Sequence, residues 1–177
     1  MGEPDLDAAL RMAINREVVS FLYYDILSGQ ENFPEYLRRI FRFLAEGEQE
    51  HLAALVGIQQ QQKGSAGVED PADLLEKNRI FVREKVQEEV AEAIRKGYPE
   101  PREVLTRAVK QEQQSARFYS FYSGSVKNRE VKTFFKTLLQ EEKEHVKIMK
   151  ALHLLIDKGI MEVDSLAGTA KTKKGSK

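Results

Sequence analysis

Cysteine is absent from all 177 residues, and that one omission removes several kinds of chemistry together. Disulfides, thiolate catalysis, cysteine-ligated zinc and iron–sulfur clusters are excluded, so any bound metal must be held by glutamate, aspartate or histidine. Only 5 prolines interrupt long stretches rich in Ala, Leu, Glu, Lys, Gln and Arg, residues of high helix propensity. An excess of one charge is missing too. The 28 basic residues cancel the 28 acidic ones, leaving no electrostatic footprint for nucleic acid or an anionic membrane. No run reaches the roughly 18 apolar residues of a membrane span. The N-terminal Met1-Gly2-Glu3-Pro4-Asp5-Leu6-Asp7 is acidic and lacks the apolar stretch of a secretory signal. The cytoplasm is therefore the expected location, with neither nucleic acid nor membrane as partner.

What is present is the balance of one soluble globular domain, 41 % hydrophobic and 32 % charged. Apolar residues recurring at three-and-four spacing predict a first helix over 5–28, with Asp5 or Asp7 as N-cap and Gly29 as its stop. Its stripe is Leu6, Leu10, Ala13, Ile14, Val18, Phe21, Leu22 and Leu27, and Glu17 falls on or beside it. A carboxylate there needs a reason. A second helix follows an Asn32 cap, with Pro34 in its first turn, and runs to Lys63. Its row Leu37, Ile40, Phe41, Leu44 continues into Glu48, His51, Leu52 and Leu55, and its Gln59 to Gln62 run reads as a solvated end.

Residues 64–71 form a turn-rich break. The stretch 73–96 is predicted mostly helical, with a shorter helix nearer 83–96 as the narrower reading, and is stopped by 97–101. A third long helix fits 101–123, stopped by Gly124, and a fourth fits 128–158, stopped by Gly159. The expected organisation is a bundle over 1–160, made of helix pairs 5–63 and 101–158 with a crossover over 64–100. A flexible, basic tail over 161–177 completes it.

Two stretches carry metal-ligand spacing. Glu48-x-x-His51 and Glu142-x-x-His145 each place a carboxylate and an imidazole on one face of a helix. The surrounding chain repeats. An offset of 95 residues lays Leu10 on Leu105, Ala13 on Ala108, Glu17 on Glu112 and Tyr24 on Tyr119. After the turns an offset of 94 lays Phe41 on Phe135, Leu44 on Leu138, Glu48 on Glu142 and His51 on His145. Two repeated helix pairs, each with one apolar face to cover, predict an all-α, antiparallel four-helix bundle with one long, partly helical crossover between helices 2 and 3.

Height along the helices brings the candidates together. Glu17 lies 13 residues before Gln30 and Glu48 lies 15 after Phe33, with 12 and 14 as the matching counts from Gly124 and Asn128 to Glu112 and Glu142. At about 1.5 Å per residue all four sit about 20 Å from their turns. Four ionised carboxylates in an apolar bundle would repel and each suffer a desolvation cost of several kcal/mol, whereas two divalent cations neutralise them. One Glu from each of two helices with Glu-x-x-His from each of the others is the ligand set of bundle-type di-iron and di-manganese carboxylate proteins. Two imidazoles among carboxylates suit iron or manganese; calcium prefers oxygen alone. Glu17, Glu48, His51, Glu112, Glu142 and His145 are thus the candidate metal and catalytic residues. His153, with no Glu three residues before it, reads as a core or edge histidine. Glu50, Glu141 and Glu144 read as exposed, Glu141 with an outer contact open to it, and Tyr23 and Tyr122 as packing or surface residues.

Over residues 5–158 the chain resembles the ferritin-like superfamily, and within it the rubrerythrin-type proteins, whose ligand order Glu17, Glu48-x-x-His51, Glu112, Glu142-x-x-His145 follows one by one. The resemblance implies bridging by Glu48 and Glu142, terminal carboxylates from Glu17 and Glu112, and one imidazole on each of two iron ions, with manganese as the other candidate. It implies that Tyr24 and Tyr119 bond ligand carboxylates, that O2 or hydrogen peroxide is the oxidant, and that the protein is a homodimer. Two departures stand out. Ser115, matched by Ser20, occupies the position of a further glutamate in rubrerythrins, and a cysteine-free chain has no rubredoxin-type iron domain. Electrons would then come from a separate donor protein. A non-catalytic iron-binding, storage or interaction module is the alternative function.

Overall fold

The computed structural model describes residues 5–31, 33–63, 68–95 and 100–159. Five helices follow in order: α1 Leu6–Ser28, α2 Glu35–Lys63, α3 Pro71–Arg95, α4 Glu100–Ser125 and α5 Arg129–Asp157. Among the described residues there is no strand, and no helix is long and apolar enough to cross a membrane. The expected Asn32 cap, the 64–67 and 96–99 breaks and the basic tail lie outside the described residues.

Local chemistry sets the helix ends. Asp5 caps α1 by accepting from the Asp7 backbone N–H at 3.1 Å, and Asn128 caps α5 by accepting from that of Val131 at 3.1 Å; each satisfies a donor that the helix leaves unpaired. Gly159, at φ 65, ends α5 in the left-handed region that glycine adopts without steric cost. Two predicted boundaries are corrected. The crossover helix is one 25-residue element beginning at Pro71. Asp70 and Pro71, read as part of a break, are its N-cap and first turn, with the Asp70 carboxylate accepting from the Ala72 N–H at 2.8 Å. Helix α4 does not stop at Gly124 but runs through it to Ser125, and the chain turns where Val126 buries its side chain.

Helices α1 and α2 form one antiparallel hairpin and α4 and α5 another, and the two dock to make the four-helix bundle. Helix α3 packs mainly along α1 and also reaches α4 and α2. This second cover explains why α1 buries Tyr23 and Leu27 as well as its bundle-facing Leu10, Ala13 and Val18. The repeat is visible in the core. Leu10 and Leu105, Ala13 and Ala108, Phe41 and Phe135, and Leu44 and Leu138 are all buried in equivalent places, each large side chain contributing about 1.5–3 kcal/mol. The Gln run is not wholly solvated: Gln59 is buried while Gln60 to Gln62 are exposed.

Candidate metal centre

Helix α1 presents Glu17, α2 Glu48 and His51, α4 Glu112, and α5 Glu142 and His145, all at one level of the bundle. The four carboxylates are 0–1 % exposed and the two imidazoles 7 %. Two groups form. In one, Glu17, Glu48, His51 and Glu142 bring one ligand atom each to within 4.8 Å of one another; in the other, Glu48, Glu112, Glu142 and His145 do the same. Glu48 and Glu142 belong to both groups. Both histidines turn Nδ1 inward: that of His51 lies 3.4 Å from Glu17 and 3.3 Å from Glu48, and that of His145 lies 3.1 Å from Glu112. The two rings are nearly parallel, with centroids 6.0 Å apart.

The tyrosines bond across the repeat. Tyr24 of the first hairpin donates its hydroxyl to Glu112 of the second, and Tyr119 of the second donates to Glu17 of the first. Burial and the adjacent glutamate push both phenols well above their ordinary pKa, so both remain donors. Tyr24→Phe or Tyr119→Phe is expected to cost about 1.5–3 kcal/mol in metal-free protein, the worth of a hydrogen bond to a charged group. Thermal denaturation measures this, and an unchanged midpoint would show that the hydroxyls add nothing.

Electrostatics divides the glutamates into two kinds. Burial and the charges of Glu17, Glu112 and Glu142 push Glu48 well above the usual carboxylate range. Burial and the charge of Glu112 do the same to Glu142. For Glu17 and Glu112 burial also acts upward, but it is outweighed. Contacts with Glu48, His51 and Tyr119 hold Glu17 below its ordinary value, and contacts with Glu142, His145 and Tyr24 do so for Glu112. Among the described residues, both carboxylate oxygens of Glu142 and Oε1 of Glu48 are buried without a hydrogen-bond donor. Buried polar atoms are nearly always paired. Oxygens left without donors, beside two imidazole nitrogens, fit a cation, and this O/N donor set fits iron or manganese.

Other residues have different roles. Glu141, read as exposed with an outer contact open to it, is 48 % exposed and lies 2.8 Å from His51 Nε2 as an ion-pair partner. Glu50 is exposed, and Glu144 is exposed and pairs with Lys147. Tyr23 donates to Glu89 of α3 at 3.0 Å, and Tyr122 to the Met12 sulfur. His153 sits at an edge between Thr106 and Asp157. Arg16 was not among the sequence candidates. Its Nε donates to Ser115 at 2.9 Å and its charge acts to lower the Glu142 pKa. A charged residue beside Glu17 in sequence reads as solvated, and only the docking of α4 shows otherwise.

A four-helix bundle with a helical crossover, carrying this Glu/His cluster at mid-height, defines a ferritin-like protein. The rubrerythrin family model matches residues 103–172, a stretch that includes Glu112, Glu142 and His145. Over that stretch the chain is similar to the rubrerythrin family. No curated protein and no solved structure matches it.

Proposed function

We propose that the cluster holds two iron ions, with manganese as the other metal its donors suit, and that the protein oxidises Fe(II) with O2 or hydrogen peroxide as electron acceptor. The observation carrying this reading is the pair of overlapping ligand groups that share Glu48 and Glu142, oxygens of which have no hydrogen-bond donor among the described residues. Two divalent cations match four carboxylates in charge. Glu17 and His51 belong to one position, Glu112 and His145 to the other.

Bound iron supplies one-electron chemistry that these side chains cannot perform themselves. Two ferrous ions give two electrons; hydrogen peroxide takes them up with two protons to form two waters, or O2 takes them up with two protons to form peroxide. The chain's own residues supply position and charge. Tyr24 and Tyr119 hold Glu112 and Glu17 by their outer oxygens. The buried aromatic rings of Tyr24, Phe41, Tyr119 and Phe135 exclude bulk water, which strengthens every charge interaction within. Ser115, bonded to Arg16, puts a hydroxyl and a neighbouring cation where rubrerythrins carry a further carboxylate. The ligand set therefore lacks the further carboxylate of the rubrerythrin kind at this position. With no cysteine-ligated iron in the chain, repeated turnover draws on a separate electron donor protein.

Anaerobic loading with Fe(II) followed by O2 or peroxide tests the proposal. The expected result is uptake of about two Fe(II) per chain and their rapid oxidation, seen as ferric absorbance. Uptake without oxidation would give the non-catalytic iron-binding reading, and no uptake would remove both.

A further inference from the structure

The repeat that builds the cluster is broken at one position that touches it. The 94-residue offset laying His51 on His145 and Glu48 on Glu142 lays Gly47 on Glu141. Glu141, on α5, places a carboxylate oxygen 2.8 Å from Nε2 of His51, on α2. The equivalent contact would run from α2 to His145, and Gly47 occupies that place. A Cβ added at Gly47 would lie 3.5 Å from His145 Nε2, so a side chain there would start against the corresponding ring atom. The edge of the Phe43 or His145 ring meets the other's face, with centroids 6.4 Å apart, and a phenyl ring accepts no proton from the imidazole edge as a carboxylate does. Among the described residues, one imidazole has a carboxylate at its far nitrogen and the other has none.

We infer that Glu141 divides the cluster into a resident metal position, Glu17 with His51, and an exchangeable one, Glu112 with His145. The inference rests on the dinuclear reading above. A carboxylate accepting from the far nitrogen of a ligand histidine fixes its tautomer and ring orientation and makes the near nitrogen a stronger donor, with effects of about 10–100-fold on metal affinity. Glu141 is half exposed, and solvent screening places its effect at the lower end, about tenfold. Glu141 is a positioning residue: it acts on the metal through His51. In functional terms, each ion would give one electron to the oxidant; the exchangeable ion would then leave as Fe(III) and be replaced by Fe(II), while the resident ion would be returned to Fe(II) in place by the separate electron donor.

Anaerobic titration with Co(II), followed by its visible absorbance and by hyperfine-shifted proton resonances of the ligand imidazoles, tests this. The wild-type chain is expected to fill in two steps separated by about tenfold in affinity, and the Glu141-bonded ring N–H to exchange with solvent more slowly than the other. Glu141→Gln should weaken the first step by about tenfold, leave the second, and abolish the slow exchange. Gly47→Glu should strengthen the second step towards the first. Two steps of equal affinity in the wild type, or a Glu141→Gln variant whose steps both stay within about twofold, would overturn the inference while leaving two metals bound. A wild-type chain that takes up fewer than two Co(II) would instead overturn the dinuclear reading. A cooperative thermal unfolding transition and an unchanged helical circular-dichroism spectrum of metal-free Glu141→Gln show that the fold is intact in these comparisons.

Discussion

Glu142→Leu is expected to empty both metal positions and, in the same protein, to raise the thermal midpoint of the metal-free form. Both effects follow from one side chain. Glu142 is fully buried, belongs to both ligand groups, and offers two oxygens that accept no hydrogen bond from an N–H or hydroxyl donor among the described residues. Removing it should take bound metal from about two ions per chain to near zero, whereas Glu17→Ala, which touches one group, should leave about one. In the absence of metal the same carboxyl is a liability, since burial and the Glu112 charge both oppose its ionisation. Replacing a buried ionisable group by an apolar one of similar volume is often stabilising by about 1–4 kcal/mol. For a domain of this size that is a midpoint increase of about 2–15 °C. Metal analysis after desalting and circular-dichroism melts of the metal-free proteins give the two readouts. A Glu142→Leu protein that still holds two ions would remove the shared-ligand geometry from consideration.

The second large effect is the opposite response of the metal-free and metal-loaded forms to pH. Glu48 and Glu142 have folded-state pKa values raised above the ordinary carboxylate value, the first by burial and three neighbouring carboxylates, the second by burial and Glu112. A raised pKa gives stability that is fully present below the unfolded-state value of about 4.5 and is lost as pH rises through the folded-state value. His51 acts in the same direction. Burial alone would lower its pKa, but Glu17 and Glu141 outweigh burial and raise it, so its contribution also fades as pH rises. Glu17 and Glu112, held below their ordinary value, contribute above the unfolded-state value and lose that contribution in acid. Metal-free protein should therefore melt at lower temperature at about pH 8 than at about pH 5.

Metal needs all four carboxylates ionised, so its affinity rises over the same interval. At a metal concentration a hundredfold above Kd, each position adds about 2.7 kcal/mol, and two add about 5 kcal/mol. The gap between loaded and metal-free midpoints should reach about 10–20 °C at the higher pH and narrow towards the lower. Mn(II), which avoids oxidation during the scan, is a suitable probe. A metal-free midpoint that climbs steadily from about pH 5 to about pH 8 would contradict the proton assignment.

The sequence was most legible where chemistry and periodicity coincide. Helix arithmetic from the turns placed Glu17, Glu48, Glu112 and Glu142 at one height, and in the bundle they share one level. The arithmetic fixes height and azimuth on a helix but not what faces it across the bundle. The bonds from Tyr24 to Glu112 and from Tyr119 to Glu17 were therefore open until the hairpins were docked. The same limit hid Arg16, whose partner Ser115 lies on α4. Gly124 misled for a different reason: nothing lies within 4 Å of the place its Cβ would occupy, so the residue is an exposed helical glycine and not a stop. Asp70-Pro71 carried two meanings, break and helix start, which composition does not separate.

The crossed tyrosine bonds have a further consequence. Each hairpin completes the other's carboxylate by the same contact in both directions, which is the self-complementary arrangement of an interface between two identical subunits. A lone helical hairpin pairing with its own copy would make both bonds, but it would be bound to strict symmetry: any side chain gained by one imidazole would be gained by both. Helix α3, by joining the halves into one chain, lifts that constraint. Residue 47 can be glycine while residue 141 is glutamate, a difference that no pair of identical hairpins can carry.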